Sequence, residues 1–265
     1  MVSPVLEFRG VVKEFDVPGK PSIKALDGLS FEVPDEENGE FLALIGPSGS
    51  GKSTILNLIA GLYGPTSGQV LCGGSSVEGP NDETVTVQQS YTCFPWLTVQ
   101  QNVEFGLDIR GIEEAERKRV AIEYLERVGL ADRRYAHPKE LSGGMQQRVA
   151  IARALALKRP IILMDEPFGA LDAQTRATMQ SMLINLWQQE RSLIVFVTHD
   201  INEALLLADR ILVLSSRPAQ IVFDVKVPFR RPRTDIAMRD PVFLEMAQTI
   251  LTHLRKPLKE GAQTG

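Results

Sequence analysis

The most informative motif in this sequence is Gly46-Pro47-Ser48-Gly49-Ser50-Gly51-Lys52-Ser53-Thr54. Its spacing matches the phosphate-binding P-loop pattern. The glycines let backbone N–H groups turn inward around phosphate oxygens, and the helix that follows presents its positive N-terminal end. In this pattern Lys52 reaches the β- and γ-phosphates and the Ser53 hydroxyl ligates Mg²⁺. The alternative is a chance glycine-rich turn.

The sequence on either side of the loop argues against chance. A compact apolar run, Phe41–Ile45, precedes the loop, and apolar residues at helical spacing follow it from Ser53 to Gly61. The order is therefore strand, loop, helix. Ile161–Met164 and Leu193–Val197 are further short apolar runs, typical of strands covered on both faces of a parallel sheet. We predict a wound α/β sheet as the core of the fold.

Three other stretches differ from this core. Val5–Val12 and Ala25–Val33 lie on either side of turn residues and predict antiparallel strands. Asn102–Lys158 has apolar residues at helical spacing and predicts a helical lobe, interrupted at Gly129 and Pro138. A last helix is predicted to open near Asp240 and Pro241, with one apolar face for packing, formed by Val242, Met246, Ile250 and Leu254.

Composition narrows the class of protein. The chain has 265 residues, of which 43% are hydrophobic and 23% charged, so a folded globular protein is expected. Its net charge of -4 argues against a broad basic surface, and nucleic acid is not the expected partner. Cys72 and Cys93 lack the spacing of a zinc site and are expected to be free thiols in a reducing cytosol. We find neither a secretory signal at Met1–Gly10 nor an apolar run that spans a bilayer, so any membrane role requires partners.

A second motif narrows the chemistry. Ile161-Ile-Leu-Met-Asp-Glu166 is an apolar strand that ends in two carboxylates. Asp165 is placed to contact Mg²⁺, and Glu166 to orient and deprotonate an attacking water. Paired acids at a strand end could also be solvated turn residues, but a P-loop in the same chain favours a site.

The third motif points to a family. In Leu141-Ser-Gly-Gly-Met-Gln-Gln147, the residues Ser142, Gly143 and Gly144 open a helix whose N–H groups form a second phosphate-binding surface. Alone, it would be read as an ordinary Ser-Gly helix cap. With the other motifs in order, it resembles the signature motif of ABC ATPases, and the resemblance covers nearly the whole chain.

The resemblance implies a P-loop NTPase (RecA-like) α/β core with an N-terminal antiparallel β subdomain and an inserted α-helical subdomain. The expected division is an ATP-binding core at 1–89 and 159–220, a helical subdomain at 90–158 and a C-terminal extension at 221–265. ATP and Mg²⁺ are the implied cofactors, and ATP hydrolysis is the implied reaction.

The resemblance also assigns roles beyond the P-loop residues Gly46 to Thr54. Phe15 is implied to stack on adenine, and Gln89 to contact Mg²⁺ and sense the γ-phosphate. Asp172 matches the D-loop that crosses to a partner subunit, and His199 matches the switch histidine that binds the γ-phosphate. The implied catalytic residues are Lys52, Gln89, Glu166 and His199; the implied metal ligands are Ser53, Gln89 and Asp165. Gln88, where the family commonly has an aromatic, and Gly169, where Ser is frequent, depart from its pattern.

The family architecture implies a head-to-tail homodimer or heterodimer of ATPase subunits, in which Ser142 and Gly144 cap the γ-phosphate bound by the other subunit. The subunits would lie at the cytoplasmic face of the inner membrane, bound to integral permease subunits and indirectly served by a substrate-binding protein. Ser90–Val99, which contains Pro95 and Trp96, resembles the nitrate, sulfonate and taurine importer ATPases, and implies uptake of a small anion. The alternatives are an ABC exporter or lipoprotein-release motor, and a non-transport ABC ATPase.

Overall fold

A computed structural model describes residues 3–16, 18–36, 39–89, 93–231, 233 and 237–255. Residues 90–92 of the Ser90–Val99 stretch, and residues 256–265 of the predicted C-terminal extension, lie outside the described residues. The strands are β1 (Leu6–Phe15), β2 (Ile23–Val33), β3 (Phe41–Ile45), β4 (Ser67–Cys72), β5 (Ser75–Ser76), β6 (Thr84–Val87), β7 (Ile161–Asp165), β8 (Leu193–Thr198), β9 (Arg210–Leu214) and β10 (Ile221–Lys226). The α-helices are α1 (Lys52–Ile59), α2 (Val99–Ile109), α3 (Glu114–Arg127), α4 (Gly143–Ala156), α5 (Ala173–Glu190), α6 (Ile201–Leu207) and α7 (Pro241–Arg255).

The chain forms two compact units. The first contains Met1–Asp35, Glu40–Asn81 and Val195–Gly265, and the second contains Glu36–Gly39 and Asp82–Ile194. The second unit thus groups β6 and β7 with helices α2 to α5. The three functional domains expected from the sequence, with boundaries at 89/90, 158/159 and 220/221, remain a prediction.

The first unit contains an antiparallel sheet in the order β2-β1-β4-β5. Leu6 of β1 pairs with Val33 of β2 and with Cys72 of β4, and Leu6, Phe8 and Val11 are buried. The two antiparallel strands predicted at the N-terminus are confirmed.

The first unit also contains β3, which pairs in parallel with β9, while β10 pairs antiparallel with β9. All five residues of β3 and all six of β8 are buried. Such uninterrupted burial requires covered faces, which explains why these strands read as continuous apolar runs.

In the second unit, β6 pairs in parallel with β7, and α4 packs against α2 and α3. The predicted helical interruptions are observed. Gly129 follows α3 with φ of 69°, and Pro138 begins a single 3₁₀ turn. No helix in the described ranges combines the length and the hydropathy that a bilayer-spanning segment needs.

Helix α7 begins at Pro241, as predicted, and the Asp240 carboxylate accepts a hydrogen bond from the Val242 N–H at 2.8 Å. Its predicted packing face is confirmed in part. Ile250 is buried, and Met246 and Leu254 are half-buried. Val242, however, is 49% exposed, and the buried residue of the first turn is Phe243.

Candidate functional site

The P-loop of the first unit connects β3 to α1 in a conformation that requires glycine. Gly49 and Gly51 have φ of 73° and 87°, in the left-handed region. A Cβ on Gly51 would lie 2.8 Å from Leu26 Cδ2, and one on Gly46 would lie 2.5 Å from Ser50 Oγ. The P-loop glycines are thus closely surrounded by other atoms of the first unit. Helix α1 has no acidic residue in its first turn that could occupy the positive N-terminal end of the helix.

Lys52 lies within this loop. Its Nζ donates to the carbonyl oxygens of Gly46 at 2.8 Å and Pro47 at 2.9 Å, and the residue is 7% exposed. Ser53, next along α1, is exposed. The ammonium group and the hydroxyl that the sequence assigned to phosphate and Mg²⁺ are therefore on the loop and at the helix start, as that chemistry needs.

Phe15, the predicted adenine contact, ends β1 and is half-buried. Its ring meets Tyr63 edge-to-face, with centroids 5.5 Å apart, and the Lys13 ammonium lies 5.1 Å from the Phe15 centroid. The Phe15 ring is therefore contacted by Tyr63 edge-to-face and by the Lys13 ammonium over the ring.

His199 follows β8 and is exposed. The backbone around it is fixed by buried groups that the sequence reasoning missed. Thr198 donates its hydroxyl hydrogen to Glu203, and the Asp200 N–H donates to Thr198 Oγ1 at 3.1 Å. Asp200 also caps α6 by accepting from the Asn202 and Glu203 N–H groups. The spacing Asp200-x-x-Glu203 could have revealed the start of α6 at Asp200, but not the hydrogen bond from Thr198 to Glu203.

In the second unit, two predicted residues meet at one sheet edge. Val87 and Met164 are paired in the parallel strands β6 and β7, so the residues that follow them emerge together. Gln89 Nε2 donates to Glu166 Oε2 at 3.3 Å. Gln89 therefore lies beside Glu166, the residue that follows Asp165.

Glu166 has φ of 43°, a left-handed conformation that is unfavourable for a residue with a side chain. Such strain costs on the order of 1–3 kcal/mol and tends to occur at functional sites. A Cβ on Gly169 would lie 3.5 Å from Gln89 Nε2 and 3.7 Å from Glu166 Oε2. Gly169, which departs from the family pattern, therefore lies next to Gln89 and Glu166. The distances would also allow a small side chain at position 169.

The Ser142–Gly144 segment begins α4. Ser142 Oγ accepts from the Met145 N–H at 3.3 Å, and Gly143 and Gly144 form the first turn, which contains no acidic residue. A Cβ on Gly144 would lie 2.8 Å from Thr175 Cγ2. The predicted helix opening is confirmed, and its N-terminal end has the donors and polarity for an anion.

Asp172 begins α5 beside this segment. Its carboxylate accepts from the Thr175 N–H at 3.0 Å, and this backbone hydrogen bond is the main reason that the pKa of Asp172 is lowered. The starts of α4 and α5 are therefore neighbours, and Asp172 is exposed.

Trp96 is 70% exposed, which removes the alternative that it is a buried residue of the helical lobe. It contacts Phe94, which in turn packs on Phe105 of α2.

Fully buried Asn102 fixes this loop by accepting from the Phe94 N–H and donating to the carbonyls of Phe94, Leu97 and Thr98. An adjoining open groove of about 440 Å³ is lined in part by Leu97, Phe105 and Tyr135.

The donors proposed for Mg²⁺ are of the right kind. A hydroxyl from Ser53, a carboxylate from Asp165 and an amide oxygen from Gln89 are hard oxygen ligands. Within the described residues, no group of three or more His, Cys, Asp or Glu side chains is placed to hold a metal by itself. A P-loop site does not need one, because phosphate oxygens and water complete its coordination.

Comparisons with known proteins agree with these motifs. Residues 26–169 match the family described as ABC transporter. The nitrate import ATP-binding protein NrtD of Synechocystis is 46% identical over 240 residues, covering 88% of this chain and 89% of that protein. The taurine import ATP-binding protein TauB of Jannaschia is 40% identical over 250 residues, covering 93% and 92%. The dimeric structure of MJ0796, a bacterial ABC transporter cassette, matches with a TM-score of 0.73 and 34% identity, covering 85% of this chain and 100% of that chain.

Proposed function

Because this chain belongs to the ABC transporter ATPase family, we propose that it energises the uptake of a small anion through a separate membrane permease. It is an ATP-binding, ATP-hydrolysing subunit with the ABC ATPase fold. The relatives named for nitrate and taurine import support a substrate such as nitrate, a sulfonate or taurine. The P-loop with Lys52, together with the Ser142–Gly144 helix opening, carries the nucleotide-binding part of the proposal. The similarity to the nitrate and taurine import proteins carries the import part.

We assign nucleotide binding to Gly46–Thr54. Backbone N–H groups of the loop would donate to phosphate oxygens, and Lys52 would exchange its two carbonyl acceptors for the β- and γ-phosphates. Phe15, which contacts Tyr63 and Lys13, would stack on adenine. Ser53, Gln89 and Asp165 would hold Mg²⁺, which when bound supplies neutralisation of charge on the phosphates.

Hydrolysis is assigned to Glu166, with Gln89 and His199. The Glu166 carboxylate would accept a proton from the attacking water, and the hydrogen bond from Gln89 holds that carboxylate in a defined position. His199 would donate to the γ-phosphate from the turn that Thr198 and Glu203 fix.

We propose that two ATPase subunits, identical or related, work as a head-to-tail dimer. Ser142, Gly143 and Gly144 of one subunit would donate to the γ-phosphate held by the other, and Asp172 would lie at the crossing. Dimeric structures of the related cassette support this arrangement. Loss of the γ-phosphate removes charge-assisted hydrogen bonds, so the dimer opens and the attached permease changes access.

The permease contact is assigned to Trp96 and the adjoining groove, because an exposed aromatic residue on a fixed loop is typical of an interface anchor. The subunit would then lie at the cytoplasmic face of the inner membrane.

The runner-up function, an ABC exporter motor, shares every catalytic residue. A non-transport ABC ATPase would be expected to bind ribosomes or DNA instead of a permease.

The first experiment tests the catalytic assignment with Glu166→Gln. We expect nucleotide binding to persist, turnover to fall by about 10²–10⁴-fold because the general base is lost, and ATP-bound dimers to accumulate in size-exclusion chromatography. Glu245→Gln, at an exposed position on α7, is the matched control. Near-normal hydrolysis by Glu166→Gln would remove Glu166 from the base role.

The second experiment tests the transport assignment. The chain is purified with its membrane partner, reconstituted in lipid vesicles and screened for stimulation of ATP hydrolysis by nitrate, sulfonates and taurine with the binding protein present. Stimulation by one of these anions supports import. A partner that is a ribosome or DNA, or stimulation by none of the anions, contradicts it.

A further inference from the structure

The turn between β9 and β10 lies beside the P-loop. Ile45 at the end of β3 pairs with Val213 of parallel β9. The residues that follow the two strands therefore lie at the same edge of the sheet. A Cβ on Gly46 would lie 3.1 Å from Leu214 Cβ, and one on Gly51 would lie 3.7 Å from Ala219 Cβ. One end of the phosphate loop therefore borders the last residue of β9, and the other end borders the segment Ser215–Gln220, which we call the β9–β10 turn.

Hydrogen bonds fix the β9–β10 turn in place. Ser215 Oγ donates to the Ser216 and Pro218 carbonyls and accepts from the Gln220 N–H at 2.9 Å. Ala219 exchanges backbone hydrogen bonds with β2, donating to the Ala25 carbonyl at 2.8 Å and accepting from the Asp27 N–H at 3.0 Å. The turn is thus held at both ends and along its middle, so its tip has a defined position.

Arg217 is at that tip. Its Nη2 atom lies 3.8 Å from where a Cβ on Gly49 would be, at the centre of the P-loop. The side chain is exposed, and none of the described residues, 3–16, 18–36, 39–89, 93–231, 233 and 237–255, forms a hydrogen bond or an ion pair with its guanidinium group. An unpaired cation is therefore held against a loop whose own groups bind anions.

We propose that Arg217 is a second phosphate-binding cation of this subunit, acting beside Lys52 on the di- or triphosphate chain of the nucleotide. The inference rests on the proposed nucleotide site at Gly46–Thr54. A planar guanidinium with several donors suits phosphate oxygens, and it can bind them without giving up a protein partner. Lys52 must instead leave the Gly46 and Pro47 carbonyls. Arg217 is then expected to strengthen ground-state binding, and so to lower the Kd and KM for nucleotide.

The test measures binding of ADP and ATP to the full chain by calorimetry, with ADP included because it keeps the β-phosphate and does not require the dimer. Arg217→Gln is expected to weaken the binding of both nucleotides by about three- to ten-fold, as suits a partly exposed charge-assisted contact. Arg217→Lys should recover at least half of that loss, because it restores the charge. Arg239→Gln, at another exposed arginine of the same unit, should bind as the wild type does.

The outcomes separate the inference from its premise. If Arg217→Gln binds ADP within two-fold of the wild type, or if its weaker binding is not relieved by Arg217→Lys, Arg217 is not a phosphate-binding cation. An unchanged thermal midpoint of the nucleotide-free variant supports a binding role, whereas a lowered midpoint with normal binding overturns it. Lys52→Ala serves as the reference for the site itself: if that variant binds normally, the proposed nucleotide site fails.

Discussion

Glu203 is the support on which the position of His199 depends. It is 7% exposed and accepts the Thr198 hydroxyl hydrogen, while Thr198 Oγ1 accepts the Asp200 N–H. In Glu203→Ala we expect the free energy of unfolding to fall by about 1–3 kcal/mol, because buried polar groups lose a partner. The turnover number should fall about ten-fold as the histidine loses its fixed geometry, with the KM for ATP within about three-fold of the wild type.

These quantities are measured by urea unfolding and by steady-state hydrolysis at saturating ATP. Asn202→Ala, an exposed neighbour on α6, is the matched control and should be nearly silent. A Glu203→Ala protein that keeps its full turnover number would show that His199 does not need this support.

The residue types that carry chemistry were predictable, whereas their contacts were not. Lys52, Asp165 and Glu166 follow from the P-loop and from an apolar strand that ends in acids. The hydrogen bond from Gln89 to Glu166 joins residues 77 apart in sequence. It also depends on the left-handed backbone of Glu166, φ of 43°. No periodicity encodes such a conformation, since it is imposed by the surrounding packing.

Among the helices, α2 shows what sequence pattern can and cannot locate. The helical stretch was predicted to begin near Asn102, but α2 begins at Val99, because Thr98 and Gln101 form a capping box. Asn102 lies inside the helix with its side chain turned to the preceding loop. The missed start was readable from the Thr-x-x-Gln spacing. The hydrogen bonds of Asn102 could not be predicted in this way, because they depend on the position of the preceding loop.

Asn102 should therefore be required for the loop that presents Trp96. Asn102→Leu keeps the volume and removes all four side-chain hydrogen bonds, so we expect the free energy of unfolding to fall by about 2–4 kcal/mol. Urea unfolding measures this loss. Because Trp187 is buried and Trp96 exposed, acrylamide quenching reports mainly on Trp96 and should increase in the variant.

Gln101→Ala is the comparison for Asn102→Leu. It removes one member of the α2 capping box at an exposed position, and its expected cost is about 1 kcal/mol or less. Equal losses in the two variants would mean that the cap, and not the loop, accounts for the stability.

Helix α5 depends on Asp172 as its N-cap, and this dependence has a pH signature. The pKa of Asp172 is lowered, chiefly by the backbone hydrogen bond from Thr175. A carboxyl group with a lowered folded pKa stabilises the fold above its ordinary pKa of about 4 and loses that effect as the pH falls through the lowered value. Asp172→Ala should lower the thermal midpoint at pH 7 by about 2–4 °C, and the gap to the wild type should narrow below about pH 4.

Thermal unfolding of the nucleotide-free chain at pH 7 and at pH 3 tests this dependence. Asp172→Asn keeps an oxygen acceptor but has no carboxyl group that titrates. It should retain most of the stability at pH 7, and its thermal midpoint should fall less than that of the wild type between pH 7 and pH 3. If the Asn variant loses as much as the Ala variant at pH 7, the cap is not what stabilises α5.

In the proposed transporter the ATPase chain contacts a membrane permease through a defined surface, and Trp96 is the residue assigned to that contact. An exposed aromatic side chain on a fixed loop is typical of an interface anchor. Here the exposed ring is held by Phe94 and by the loop that Asn102 fixes. We therefore expect Trp96→Ala to leave the basal hydrolysis of the isolated chain within about two-fold of the wild type, because no assigned nucleotide contact is removed.

In the complex the same change should be costly. Truncation of an interface anchor typically weakens association by about 2 kcal/mol or more, which corresponds to about thirty-fold. Copurification with the permease and solute-stimulated hydrolysis in vesicles should both fall accordingly. Leu244→Ala removes another exposed apolar side chain, 56% exposed on α7, and should leave both readouts unchanged. If Trp96→Ala assembles and is stimulated normally, the permease contact lies elsewhere on the chain, and the exposed ring needs another explanation.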